Sequence, residues 1–359
     1  MDTTNKIVLA SDESGAPDPT ALAAWMDVEE CGRGPVIDMV RIGGGTQNLM
    51  YRFARGDKEY VLRRGPRHLR TKSNEAIARE VRILRALTHT EVPHPRLIAA
   101  PDNAVIADAA FYLMEPVDGV NVVAELAEAH RSSTEVRRRM GFEMIEALTS
   151  IAAVDYRATE LTTLGRPDGF HERQAERWWR DLLSYGSYEG REPLHHAEQV
   201  ATWIANNLPR SWEPGLMHGD FHLGNVMFAF DGPGVVAVVD WELCTIGDPL
   251  LDLGWIIALW WDGGDGDLMD SALAAAGGLA TVDEMIEHYA QNSSRDLSHI
   301  TWYGVLACFK LAVILEGTYV RSLTGAADRG LGLWMHERYC RLIDHAHRLI
   351  ADSTRSARR

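Results

Sequence analysis

Apolar residues change their rhythm along the chain near residue 119. Before that point, short β-type runs alternate with turns. The stretch "PVIDMVRIGGGTQNLMYRFARGDKEYVLRRG" holds three of them: Val36 to Ile42, Asn48 to Ala54 and Glu59 to Arg63. Gly-Gly-Gly and "RGDK" separate them, which predicts antiparallel strands joined by tight turns. "SNEAIAREVRILRAL", Ser73 to Leu87, has a different period. Ile77, Val81, Leu84 and Leu87 recur every three or four residues and predict a helix, with Ser73 or Asn74 as its cap. A shorter helix is expected over Pro19 to Glu30. A loop and one or two further strands are expected over "VPHPRLIAA" and "AAFYLMEPVDG". Residues 1–18 are polar and read as a loose tail.

After Gly119, helical spacing dominates. It predicts helices over Val122 to His130, Thr134 to Val154, His171 to Tyr185, Leu194 to Leu208, Asp267 to Ala276, Val282 to Gln291 and Ile300 to Leu323. Two β-like runs interrupt them, Val226 to Phe230 and Val235 to Val239, flanking the turn "DGPG" as a short hairpin would. "LGWIIALWW", Leu253 to Trp261, lies between Asp252 and Asp262. It is about half the ~20 residues a bilayer span needs, so it reads as a buried core helix. The pattern as a whole predicts an α+β fold. A flexible tail (1–18) leads into a small β-rich N-terminal lobe with one main helix (19–115), followed by a larger, mostly helical lobe (116–359).

Composition narrows the function classes. A chain of 359 residues with 46% hydrophobic and 24% charged residues can build a large core in two lobes. A net charge of −15 argues against nucleic-acid or membrane-surface partners, because phosphates and anionic lipids repel such a surface. Cys31, Cys244, Cys308 and Cys340 are scattered with no C-x-x-C pair, a pattern of reduced thiols rather than a disulfide framework. The start, "MDTTNKIVLASDESG", lacks a basic region followed by an apolar run, so a cytoplasmic location is expected.

The chemistry concentrates in "LMHGDFHLGNVMF", Leu216 to Phe228, and "VVAVVDWE", Val235 to Glu242. Asp220 can accept a proton from a substrate hydroxyl. Asn225 offers a neutral oxygen and Asp240 a charged one, and hard cations such as Mg²⁺ take oxygen ligands. One base, one Asn and one Asp at a strand end suit Mg²⁺-assisted phosphoryl transfer. Gly224 permits a tight path beside Asn225. Two other readings stay open on these residues. His218, Asp220 and His222 form an H-x-D-x-H cluster that a zinc hydrolase would also use. A catalytically silent, nucleotide-binding protein is the other.

"HGDFHLGN" followed by "VVDWE" resembles the aminoglycoside phosphotransferase and choline kinase family, which has the protein-kinase-like fold. The resemblance implies that Asp220, Asn225 and Asp240 are the catalytic set, with Asp220 as base and with Asn225 and Asp240 holding Mg²⁺. It makes His218 a structural brace, and it implies that Asp248 and Asp252 of "TIGDPLLDLGW" hold the loop in place. In the first lobe, "RIGGGTQNLMYRF" resembles the family's nucleotide loop, so Gly44, Gly45 and Thr46 are expected near ATP phosphates. Arg63 stands where the family has Lys, Glu80 matches the acid that pairs with it, and Met114 and Glu115 of "FYLMEPVDG" match the hinge that reads adenine. "VLRRGP" and "EVPHPRLIA" look most like the kinase domain fused to some acyl-CoA dehydrogenases. The implied activity is transfer of the γ-phosphate of ATP, with GTP as the alternative donor, to a hydroxyl of a small molecule. Aminoglycosides, choline-like amines and hydroxyacyl thioesters are all acceptors of that class.

Overall fold

A computed structural model of the chain describes residues 7–12, 15–43, 48–69, 71–101, 104–186, 195–261 and 268–356. It divides into two compact units. The first comprises residues 1–119, 159–161 and 236–242; the second comprises 120–158, 162–235 and 243–359. Residues 236–242 thus pack with the N-terminal β-rich part, although the chain on either side of them belongs to the second unit.

The first unit opens with strand β1 (Ile7–Leu9) and helix α1 (Pro19–Val28), then runs through β2 (Val36–Ile42), β3 (Leu49–Arg55) and β4 (Lys58–Arg64) to helix α2 (Ser73–Leu87). Strands β5 (Leu97–Ala99), β6 (Ala104–Ile106) and β7 (Phe111–Met114) complete it. Five strands form an antiparallel sheet in the order β2-β3-β4-β7-β5. The tight turn at 56–57 sets the β3–β4 register, with Met50 opposite Arg63 and Leu49 opposite Arg64. Leu22, Trp25 and Met26 of α1 pack with Tyr51, Phe53, Leu62, Phe111 and Leu113 of the sheet. Trp25 meets Phe111 edge-on at 4.9 Å.

Two expectations fail in this unit. The tail is not wholly loose: β1 pairs in parallel with β6, and Leu9 is buried in the core. One apolar residue with a strand partner suffices to anchor a polar segment. Helix α2 spans the predicted residues, but its N-cap is Lys72 and no side chain caps it. Asn74 instead donates to the Asp108 carbonyl at 2.9 Å and accepts from the Ala110 amide at 2.8 Å, tying the helix to the turn before β7.

The second unit contains α3 (Glu128–Ser132), α4 (Thr134–Ala152), α5 (Phe170–Ser184) and α6 (His195–Asn206). After these come β8 (Gly215–Met217), β9 (Val226–Phe228), β10 (Val235–Val238) and β11 (Thr245–Gly247), with most of β10 belonging to the first unit. The chain closes with α7 (Leu250–Leu259), α8 (Ala272–Ala276), α9 (Val282–Asn292), α10 (Ile300–Leu323) and α11 (Arg329–Ser356). Helix α10 is the hub. It is long and apolar enough to cross a membrane, with mean hydropathy 1.5, but 72% of that window is buried inside the unit. Its backbone approaches α7 so closely that a Cβ on Gly254 would lie 2.5 Å from the Tyr303 carbonyl oxygen.

Three differences from the predicted helices have physical causes. The helix expected over Val122 to His130 forms only from Glu128. Val122 and Val123 spend their carbonyls on the amides of Leu273 and Ala272, and the Asn121 side chain takes the Val123 amide at 3.1 Å. Helix α8 begins at Ala272 because Ser271 caps it through the Ala274 amide; Asp267, its expected start, lies outside the described residues. Helix α11 was not anticipated, although Tyr339, Leu342, Ile343 and Ala346 are buried at the spacing of one helix face.

Candidate active site

In the second unit, β8 and β11 pair antiparallel, with Met217 opposite Thr245 and Gly215 opposite Gly247. The pairing brings the start of the 218–225 loop beside the segment that leads into α7. Asp252, in the first turn of α7, is fully buried. Its Oδ2 accepts the His218 amide at 2.6 Å and its Oδ1 the Gly219 amide at 2.8 Å. Gly219 is at φ +84°, and a Cβ there would lie 2.5 Å from the Leu243 carbonyl oxygen. Only glycine fits this turn. Asp248 has a different job from the one expected: it takes His171 Nε2 at 2.9 Å and the Tyr303 hydroxyl at 2.5 Å, joining α5 to α10 rather than holding the loop.

Asp220 and Asn225 come together on this loop. Asn225 Nδ2 donates to the Asp220 carbonyl at 2.9 Å and to its carboxylate Oδ2 at 3.1 Å. That commitment leaves the Asn225 carbonyl oxygen as the atom it can offer a hard cation. His222 bonds the backbone: its Nδ1 accepts the Gly224 amide at 3.0 Å, which puts the proton of a neutral ring on Nε2, 3.5 Å from Asp220 Oδ2. Burial works against the Asp220 charge, but the His222 hydrogen bond and the charges of His222, His218 and Lys310 outweigh it, so its pKa is lowered. Asp220 is therefore an anion aimed at a hydrogen-bond donor.

Two residues that pattern reasoning missed also hold the loop. Asn121 donates through Nδ2 to the Gly224 carbonyl at 2.8 Å. Lys310, on α10, donates to the Gly219 carbonyl at 2.9 Å. A lysine in an apolar helix pattern is the one sequence signal that would have found Lys310; Asn121, a lone polar residue among Val120, Val122 and Val123, is as faint a signal.

The first unit carries a second cluster. Arg63 on β4 donates through Nε to Glu80 of α2 at 2.9 Å and through Nη2 to Asp240 at 3.2 Å. Glu80 is 3% exposed and accepts a further bond from Tyr112. Burial pushes its pKa up to about 7, against the pull of Arg63. Burial also opposes the Arg63 charge, but Glu80, Tyr112 and Asp240 more than offset it, and the guanidinium pKa is raised. Asp240 follows β10 at φ +65°, a left-handed position for a residue with a Cβ. Trp241 pins the turn through Nε1 on the Val238 carbonyl at 2.9 Å. The Asp240 side chain is 41% exposed, so it can reach a cation. Glu242 takes Arg79 through its backbone carbonyl at 3.4 Å.

At the hinge positions, Met114 ends β7 opposite Val61 and Leu97. The Glu115 amide donates to the Arg96 carbonyl at 2.9 Å, so that donor is spent within the unit. Gly44, Gly45 and Thr46 lie outside the described residues. Among the described residues, no group of three or more His, Cys, Asp and Glu is arranged to hold a metal, so His218, Asp220 and His222 do not form the three-ligand set a zinc hydrolase needs.

Comparison with known proteins places the chain in a family. A family model described as the phosphotransferase enzyme family matches residues 38–288. Acyl-CoA dehydrogenase family member 10 of Mus musculus is 30% identical over 302 residues, covering 82% of this chain and 27% of that protein. The chain thus spans about a quarter of that relative's length. A candidate aminoglycoside phosphotransferase from Ralstonia eutropha JMP134 superposes with a TM-score of 0.77 at 26% identity, covering 93% of this chain and 98% of that one. Aminoglycoside phosphotransferase APH(4)-Ia, in ternary complex with AMP-PNP and hygromycin B, has a TM-score of 0.57 at 15% identity, over 91% and 98% of the two chains, a likeness of fold alone. The H-x-D…N loop gripped by a buried Asp and the Arg–Glu pair of the sheet unit fall within the matched residues, and the chain belongs to the phosphotransferase enzyme family, with its protein-kinase-like fold.

Proposed function

We propose that this phosphotransferase moves the γ-phosphate of ATP to a hydroxyl of a small molecule. One observation supports the reading above others: Asn225 donates through Nδ2 to the carboxylate of Asp220, whose pKa is lowered, on the same loop. Asp220 orients the acceptor hydroxyl and takes its proton as the oxygen attacks phosphorus in line. Asn225 and Asp240 are the residues that would hold Mg²⁺, which when bound neutralises charge on the phosphates. Arg63 takes the place of the usual lysine toward phosphate, and Glu80 holds its guanidinium. GTP is the alternative donor. AMP-PNP in the APH(4)-Ia complex supports an adenine nucleotide, and hygromycin B there supports a small-molecule acceptor. The likeness to an acyl-CoA dehydrogenase family member supports a hydroxyacyl thioester as the acceptor to try first. The four cysteines are free thiols, which supports a reducing compartment such as the cytoplasm.

The test is thermal unfolding with Mg²⁺-ATP, Mg²⁺-GTP and Zn²⁺, followed by ADP release over a panel of hydroxylated acceptors. A nucleotide at 100 times its dissociation constant adds about 2.7 kcal/mol of stability. Stabilisation by Zn²⁺ with none by either nucleotide would overturn the reading.

A further inference from the structure

Lys310 lies within helix α10, 8% exposed. Burying an ammonium is costly unless it is paired and hydrogen-bonded, so its surroundings carry information. Its Nζ donates to the Gly219 carbonyl at 2.9 Å. It sits 4.9 Å from the ring centre of Trp255 on α7 and 5.8 Å from that of Trp178 on α5. The faces of these indoles attract a cation and exclude water from it. The charged groups that act on it are Asp220 of the loop and Asp252 of α7, which favour its charge, and Arg177 of α5, which opposes it.

The consequence is a two-sided grip on one residue. Asp252 takes the amide of Gly219 and Lys310 takes its carbonyl, and the peptide so held leads directly into Asp220. We propose that Lys310 is a positioning residue for Asp220: by holding the Gly219 carbonyl it fixes the direction in which Asp220 leaves the backbone. The proposal rests on the reading of Asp220 as the proton acceptor.

Two full-chain variants test it, Lys310→Met, which removes donor and charge, and Lys310→Gln, which removes the charge but keeps a donor. Two readouts are followed: hydrogen exchange of the backbone amides over 216–228, and ADP release from Mg²⁺-ATP with water as acceptor. In Lys310→Met, exchange over the loop should rise about tenfold, and kcat should fall about tenfold with KM for ATP within about twofold of wild type. Lys310→Gln, which keeps a donor for the Gly219 carbonyl, should hold both exchange and kcat nearer to wild type than Lys310→Met does. Unchanged exchange or unchanged kcat in Lys310→Met overturns the proposal, and so does a Lys310→Gln variant that changes both as much as Lys310→Met does. If Lys310→Met does not fold, the Gln variant decides through exchange over 216–228, which stays within about twofold of wild type if a donor to the Gly219 carbonyl is what the loop needs and rises about tenfold if it is not. Asp220→Asn serves as the control for the underlying reading. Wild-type turnover in that variant overturns the base assignment, and loop exchange then decides on Lys310 alone, as it also does if the wild type releases no ADP with water as acceptor.

Discussion

Arg63 Nη2 lies 3.2 Å from Asp240 Oδ1, although 177 positions separate the two residues. The same guanidinium is bound to Glu80 at 2.9 Å, so one side chain of the central sheet joins a helix acid to the acid that ends β10. Arginine can do this because its planar fork presents several donors at once; the single ammonium of lysine is a point charge. The substitution at this position is therefore a rewiring of the cluster and not a mere exchange of cations.

Arg63→Ala should destabilise the protein by about 1–3 kcal/mol, because it leaves the buried Glu80 to protonate without the donor that now satisfies it. Arg63→Lys should cost less, because the charge remains. Urea unfolding checks both; a loss below about 1 kcal/mol in the alanine variant would show that the pair is not buried as described.

Asp220→Ala should reduce turnover by about 10²–10⁴-fold and leave the Mg²⁺-ATP thermal shift in place. Steady-state ADP release and a melting scan on the same sample separate the two effects. A variant with near-normal rate would remove Asp220 from the mechanism.

Asp240→Ala should abolish the Mg²⁺-dependent part of the nucleotide shift, about 2.7 kcal/mol at 100 times the dissociation constant. Asp240→Asn is the gentler comparison, because Asn tolerates the φ of +65° found here better than Ala does. Equal nucleotide shifts in wild type and both variants would count against a metal role.

Glu80 gives a pH signature. Its pKa is raised to about 7 by burial, above the value of 4.5 for an ordinary glutamate. The folded state therefore holds a proton that the unfolded chain has lost, and stability falls as pH rises from about 4.5 to about 7. The fall is at most about 1.4 kcal/mol per pH unit. Glu80→Gln should flatten the melting temperature over this window relative to wild type. Identical pH profiles would mean that Glu80 is ionised throughout.

Much of this was legible in the residues alone, and the failures share one cause. Helices Ser73–Leu87 and Ile300–Leu323 were readable because their own periodicity fixes them. That Asp220 and Asn225 meet on one loop was readable because they stand five positions apart. The groups that hold them were not. Val122 and Val123 leave the helical path to bond Leu273 and Ala272, about 150 residues away in sequence. Lys310 reaches Gly219 across 91 positions and Asn121 reaches Gly224 across 103. No local pattern announces such partners. Helix α11 is the exception: its buried spacing was present, but glycines and charged residues at its start masked it.

The pairing of β3 with β4 has a meaning for folding fidelity. Adjacent side chains on a strand face opposite ways, so Arg63 and Arg64 serve opposite sides of the sheet. Arg63 reaches Glu80, while Arg64, 2% exposed, donates to the carbonyl of Gly15 at 2.8 Å. A slip of β4 by one residue in one direction would set Leu62 against the Glu80 carboxylate. A slip in the other direction would leave Gly65 facing the Gly15 carbonyl. Either error costs one buried acceptor its guanidinium, on top of turning the apolar residues outward. Two consecutive arginines thus act as a proofreading mark, and only the native register satisfies both.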